Sequence, residues 1–163
     1  MPICRVVNRE LPLAPSAVAD ARTFVVNALQ RWELESLVPD AELLTSELVT
    51  NSLLHARTEV TVTVAVADGV AEVGVADRSV SSPESRPLGL TGESGRGLHL
   101  VELVAREWGV VPTTHGKQVW FRLDVGSDWP HRIDCPCDGE ELDRVRLETG
   151  RYAVAAPGPW DED

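Results

Sequence analysis

The 163-residue sequence predicts an α+β domain, and three observations carry that expectation. Residues 16–56 place apolar side chains at helical spacing in two successive stretches. Residues 60–76 alternate apolar and small or polar residues on both sides of an Asp-Gly pair, the pattern of a β-hairpin. A second alternating run over 118–125 supplies another strand, so helices and hairpin-type strands occupy separate parts of the chain.

Taken in order, Ile3 to Val7 is a short apolar strand, expected at a sheet edge. Ser16 is placed to cap a helix running to about Trp32, whose stripe is Ala17, Ala21, Phe24, Val25, Ala28, Leu29 and Trp32. Pro39-Asp40 opens a second helix, with Asp40 as its expected N-cap, ending near Ala56. Val60 to Val66 alternates strictly and reads as a strand with one face inward. Asp68-Gly69 makes the turn, and Val70 to Ala76 returns antiparallel. From Asp77 to Gly97 periodicity stops in a Ser-, Pro- and Gly-rich stretch of the length that functional lids have. Leu98 to about Trp108 resumes helical spacing. Val110-Val111 and Gln118 to Val125 are strands joined by a turn over Thr114 to Lys117, the second with Val119, Phe121 and Leu123 on one face.

Composition narrows the function. Apolar content of 43% and charged content of 25% are ordinary for a globular protein. No apolar run is long enough for a transmembrane helix, and the charged start does not suit a secretion signal, so a cytoplasmic protein is expected. A net charge of −11 argues against a direct nucleic-acid binder, which needs a basic face. Three cysteines do not make a disulfide framework, and Cys135-Pro-Cys137 lacks the second ligand pair of a zinc site. Residues 127–163 hold ten of the 26 acidic residues and four of the 15 basic ones. The core domain is therefore expected over 1–126, followed by an acidic extension, 127–163, that ends as a loose, partly disordered tail.

The second helix carries the main chemical signal. Ranked at about 100° per residue, Leu43, Leu54, Glu47, Asn51, Leu44, His55 and Leu48 fall within about 140° of its surface. Glu47, Asn51 and His55, spaced by four residues, thus share the face expected to be buried. An unpaired carboxylate or amide there costs a few kcal/mol or about that, unless a ligand or metal ion uses it. Two further features fit. Asp77 ends a strand, where its carboxylate can accept from an exocyclic amine such as adenine's. Gly92-Glu93-Ser94-Gly95-Arg96-Gly97 runs into a helix, where close backbone approach and free N–H groups favour phosphate. The spacing is neither a P-loop nor a Rossmann fingerprint.

Together, in this order, these pieces resemble the GHKL ATPase superfamily (gyrase, the heat-shock chaperone, histidine kinases and the mismatch-repair ATPase). Within it they are most similar to small stand-alone ATP-binding proteins of actinobacteria related to anti-sigma-factor serine/threonine kinases. The likeness covers about residues 10–125. The N-box is Glu47, Asn51, His55 and Ala56; the G1-box resembles Asp77-Arg78-Ser79, with Ser where many members have Gly; the G2-box resembles Gly95-Arg96-Gly97-Leu98. Gly116 to Phe121 looks like the last core strand of that family.

The resemblance implies a Bergerat-type fold: a two-layer sandwich of a mixed, mostly antiparallel sheet with helices on one face, and ATP between helices and lid. It implies Asn51 as a Mg²⁺ ligand, Asp77 and Ser79 at adenine, and Gly95, Arg96, Gly97 and Leu98 around the phosphates, with Arg96 either adding charge or solvated. Glu47 would serve as general base or orient the attacking hydroxyl. His55 would support the helix end or contact phosphate. The implied function is an ATP-dependent kinase that sequesters a sigma factor and phosphorylates a serine or threonine of an antagonist protein. The alternative is a nucleotide-binding regulatory module without turnover. Related small kinases are often dimers, which makes a homodimer one expected assembly.

Overall fold

The protein was analysed as a computed structural model that describes residues 5–67, 69–79 and 93–125. The first strand, β1 (Arg5–Leu11), leads to helix α1 (Ala17–Arg31). A single 3₁₀ turn (Glu35–Leu37) passes directly into α2 (Val38–Asn51), which closes in a π turn (Ser52–Ala56). The hairpin β2 (Val60–Ala67) and β3 (Val70–Asp77) follows, then α3 (Glu93–Val104), β4 (Glu107–Pro112) and β5 (Lys117–Asp124). The five strands lie in the order β1-β2-β3-β5-β4, and every pairing is antiparallel. This is the two-layer α+β architecture of a Bergerat fold, with the sheet wholly antiparallel among the described residues rather than mixed.

The expected elements recur with informative shifts. The Val60–Val66 alternation becomes β2, and the pairing of Ala67 with Val70 leaves a two-residue turn in which Gly69 has φ +76. That backbone geometry is the one an Asp-Gly hairpin needs. Ser16 precedes α1 but makes no side-chain cap bond, because its own backbone is already helical. Asp40 is likewise not the N-cap of α2. The 3₁₀ turn has set the backbone before Pro39, so Pro39 falls at the first positions, where its missing N–H is harmless, and Asp40 lies in the first turn against the helix dipole.

Two larger corrections concern boundaries. α3 starts at Glu93, five residues before the expected Leu98, so Gly95 and Gly97 lie in its opening turns rather than in a preceding loop. Glu93 suits a helix start through the dipole, and each glycine costs only about 1 kcal/mol in a helix. The helix also stops at Val104 instead of Trp108. The Arg106 N–H donates to the Arg122 carbonyl at 2.9 Å, which recruits the next residues into β4. Ile3, Asp68, the lid candidates 80–92, Cys135 and Cys137, and the extension 127–163 lie outside the described residues.

The main core lies between sheet and helices. Val60, Val62, Val64 and Val66 of β2, Val73 and Val75 of β3 and Phe121 of β5 meet Val25 and Leu29 of α1 and Leu44, Leu48 and Val49 of α2, all buried. The expectation that only one face of β2 points inward is too narrow, because Thr63 and Ala65 on the other face are also buried. They are small residues beside the longer, buried chains of Glu72 and Gln118; the Gln118 amide crosses Gly74, the partner of Thr63, where a Cβ would lie 2.2 Å from its Nε2.

Candidate nucleotide site

The buried side of α2 is formed by Ala41, Leu44, Thr45, Leu48 and Val49, continued by Ser52. It is rotated from the face expected from the sequence: Leu43 and Leu54 are exposed, Glu47 and Asn51 are half-buried, and His55 is exposed. The short side chains of Ala41, Thr45 and Ser52 let the helix seat on that side. The rotation leaves Glu47 and Asn51 at the border of the core, where their polar groups escape full desolvation. Directly after Asn51 the helix widens: the Arg57 N–H donates to the Ser52 carbonyl at 3.1 Å, an i to i+5 bond, and Arg57 then turns left-handed at φ +52. Single π turns of this kind are frequent at functional sites.

Asp77 is the most completely built of the predicted residues. It ends β3, is 4% exposed, and stands opposite Val60 of β2 and Lys117 of β5 in the sheet register. Its Oδ1 accepts from the Ser79 N–H at 2.9 Å and from Lys117 Nζ at 3.2 Å. Its Oδ2 accepts from the Ser52 hydroxyl at 3.4 Å and faces Lys117 Nζ at 3.1 Å. A carboxylate has about four lone-pair positions, so this one is fully engaged. Ser79 thus shares the turn that fixes the carboxylate, and Ser52 ties the residue next to Asn51 to the end of β3.

The turn before β5 presses on the same point. The Thr113 N–H donates to the Gly116 carbonyl at 2.9 Å, and a Cβ on Gly116 would sit 2.0 Å from the Asp77 carbonyl oxygen. Only glycine allows that approach. Beside it, the Arg78 N–H donates to the Thr58 hydroxyl at 3.0 Å, and its guanidinium reaches Glu10 at 3.3 Å. The latter is an exposed pair that contributes little.

Among the predicted residues, Asn51 and Asp77 are therefore joined through Ser52, with Ser79 in the same network. Glu47 is one turn earlier on α2. Gly95, Arg96, Gly97 and Leu98 belong to the first turns of α3, which packs beside α2. Three residues around this network were not among the expected site residues: Ser52, Lys117 and Gly116, the last two read from the sequence only as part of a turn and a closing strand. Ser52 gave a faint signal as a hydroxyl following Asn51 on the apolar side of the helix. Lys117 and Gly116 matter only because β5 pairs with β3.

The histidine kinase-like ATPase domain family matches residues 11–123, and the chain belongs to that family, a branch of the GHKL superfamily that includes anti-sigma-factor kinases. No curated protein matches the chain significantly. Membership implies ATP binding, in general with Mg²⁺. The described residues contain no cluster of three or more His, Cys, Asp or Glu able to hold a metal. The donor set nevertheless fits Mg²⁺, which keeps several waters and takes phosphate oxygens with one or two protein oxygens, such as the Asn51 amide. No described helix is long and apolar enough to cross a membrane.

Proposed function

We propose that this protein is a cytoplasmic regulator of the anti-sigma-factor type: a serine/threonine protein kinase that uses ATP to phosphorylate an antagonist protein and that sequesters a sigma factor. One observation carries the reading. Glu47 and Asn51 lie one turn apart and half-buried on α2, and the next residue, Ser52, is hydrogen-bonded to the buried Asp77. In this reading one helix holds the metal ligand and the candidate proton acceptor a turn apart, and Ser52 links that helix to the base anchor at the end of β3; such positioning is most of what a protein contributes to phosphoryl transfer.

In this reading Asp77 accepts from the base, and Ser79 holds its carboxylate in place. Asn51 would give its amide oxygen to Mg²⁺, which would supply charge neutralisation at the phosphates. The backbone N–H groups of the first turn of α3, which ends at Gly95, bind phosphate oxygens, because that turn leaves its N–H groups without helical partners, and Arg96 and Gly97 follow in the next turn. Glu47 takes the proton of the attacking hydroxyl as the γ-phosphoryl passes to that oxygen. His55 is exposed in the π turn, one turn beyond Asn51.

The test is transfer to protein. Wild type incubated with Mg-ATP and candidate antagonists is expected to yield a phosphoserine or phosphothreonine, and Glu47→Ala is expected to lower the transfer rate about 100-fold or more, as loss of a general base does. Tight Mg-ATP binding with no transfer to any antagonist would instead assign the nucleotide a purely regulatory role.

A further inference from the structure

We infer that the acidic extension, residues 126–163, packs as a cover across the outer face of the sheet, the face turned away from the helices. The inference is independent of the nucleotide reading and starts from the strand register. Val6, Ala65, Glu72, Arg122 and Glu107 form one cross-strand row on that face, and Asn8, Thr63, Gly74, Trp120 and Gly109 form the next. Val6, Thr63, Ala65 and Glu72 are only 1–3% exposed, and Arg122 is buried with them. Val6 and Ala65 are buried apolar residues that do not belong to the main core cluster. Among the described residues, the helices meet the opposite face, through Val60, Val62, Val64, Val73 and Phe121, so they do not account for this burial. The tips of side chains on an uncovered antiparallel sheet face end in water. A row with a buried ion pair in its middle therefore has something lying over it.

The face is also shaped to be covered. The Trp120 ring lies across Gly109 and the Gln118 amide across Gly74, positions where a Cβ would collide with them. The Arg122 guanidinium sits 4.8 Å from the Trp120 ring centroid. These long side chains lie along the sheet instead of standing off it, and leave a low platform. Within it the Thr63 hydroxyl and Gln118 Oε1 are buried with no hydrogen-bond partner among the described residues, although buried polar groups normally have one. Position and length select the occupant. Burial is deepest near the sheet end where Asp124 pairs with Val70 and the Val125 N–H donates to the Gly69 carbonyl. It lessens toward the other end, where Thr61 and Ala76 are half-buried and Glu10 is exposed. Residues 126–163 continue from Val125, at the deeply buried end. Residues 80–92 instead leave from the opposite end, beyond Asp77, and lead into α3, whose Val101 is in the core on the helix side. Residues 1–4 reach about 13 Å fully extended, less than the about 14 Å that separates β1 from β5. Composition fits as well: Trp129, Ile133, Leu142, Val145, Leu147 and Tyr152 give the acidic extension apolar groups to lay on the platform. The extension is thus part of the fold rather than a loose tail.

Two measurements on the full-length chain test this. In a chain whose Cys4, Cys135 and Cys137 are changed to serine, Ala65→Cys reports on the covered face and Leu103→Cys, at a position 68% exposed, on open surface. Each variant is first checked for a cooperative thermal transition. Ala65→Cys is expected to react with a maleimide about 100-fold or more slowly than Leu103→Cys, as a thiol reached only through local opening does. The second measurement places a photo-crosslinker on the platform as Trp120→p-benzoylphenylalanine. Irradiation is expected to join it to residues 126–163 of the same molecule, with a yield that does not change with protein concentration. Equal labelling rates, or irradiation that gives no adduct within 126–163 of the same molecule, overturn the inference. If Ala65→Cys fails to fold, the crosslinked segment alone decides. Neither measurement touches the nucleotide site, so the two readings stand or fall separately.

Discussion

Strand β3 carries two buried carboxylates, and the cross-strand partner of each on β5 is a cation. Glu72 stands opposite Arg122 and Asp77 opposite Lys117, on opposite faces of the sheet. The two pairs are built differently. Arg122 Nε donates to Glu72 at 3.1 Å while its Nη1 donates to Glu107 at 2.6 Å, and its guanidinium lies 4.8 Å from the Trp120 ring centroid. One planar cation therefore joins three adjacent strands, and its side chain is only 8% exposed. Lys117 is a more exposed point charge on a flexible stem, with Asp77 as its ion-pair partner. Arginine's rigid fork suits a permanent clamp, whereas lysine's ammonium can shift among acceptors. The same strand thus has a fixed end and an exchangeable end, and the exchangeable end is where the proposed nucleotide site lies.

The largest effect should come from breaking the fixed end. Arg122→Ala removes the guanidinium that joins the buried Glu72 to Glu107, and is expected to cost about 3–5 kcal/mol in stability by denaturant unfolding. Lys117→Met should cost clearly less, because Asp77 keeps the Ser52 and Ser79 donors and lies beside the accessible Lys117 position. Equal losses in the two variants would erase the distinction between the ends. High salt offers a second view: pairs this buried should respond weakly, while Arg78–Glu10 and Arg106–Asp124, both exposed, are screened.

The contrast also explains what the sequence could disclose. The stripe of α1 and the β2–β3 hairpin follow from periodicity and one Asp-Gly turn, signals contained within a few residues. Glu47, Asn51 and His55 stood out because their chemistry conflicts with an apolar helix face, and Asp77 because it ends a strand. The rotation of α2 was not legible, since it depends on how closely Ala41, Thr45 and Ser52 seat against the rest of the core. Nor was the end of α3, which is set by the Arg106–Arg122 backbone bond rather than by local propensity. Lys117 and Glu72 look like ordinary surface charges until β3 and β5 are paired. Their significance is a property of register between segments some 40 residues apart, as the Lys117–Asp77 bond shows.

Glycines next to the two pairs give an intermediate effect that sharpens the comparison. At the site end, a Cβ on Gly116 would fall 2.0 Å from the Asp77 carbonyl oxygen and 2.7 Å from the Arg78 Cα, both backbone atoms that cannot step aside. Gly116→Ala is therefore expected to cost about 1–3 kcal/mol, as overpacking does, and to weaken nucleotide binding by moving Asp77. On the other face of β3, a Cβ on Gly74 would meet the end of the Gln118 side chain, which has rotamers available. Gly74→Ala should lower the unfolding midpoint less and leave nucleotide affinity unchanged. A larger binding defect from Gly74→Ala than from Gly116→Ala would mean that the two faces are mechanically coupled, contrary to the division drawn above.

The smallest expected effect belongs to Ser52→Ala. Its hydroxyl lies 3.4 Å from Asp77 Oδ2, the long limit of a hydrogen bond, while Lys117 Nζ stands closer to the same oxygen at 3.1 Å. Removing the hydroxyl leaves the carboxylate neutralised, so the loss of stability should be within about 1 kcal/mol, the net worth of a neutral donor. The position still discriminates between two pictures of the site. If the carboxylate exchanges partners when a base arrives, Ser52 is the partner given up first, and Ser52→Ala should leave nucleotide affinity nearly unchanged. If Ser52 instead holds Asn51 and Asp77 at a fixed separation, the alanine variant should lose affinity well beyond its loss of stability. Paired measurements of unfolding midpoint and Mg-nucleotide affinity on this one variant therefore decide whether the Asp77 end of β3 yields to its ligand or is a second clamp like the Glu72 end.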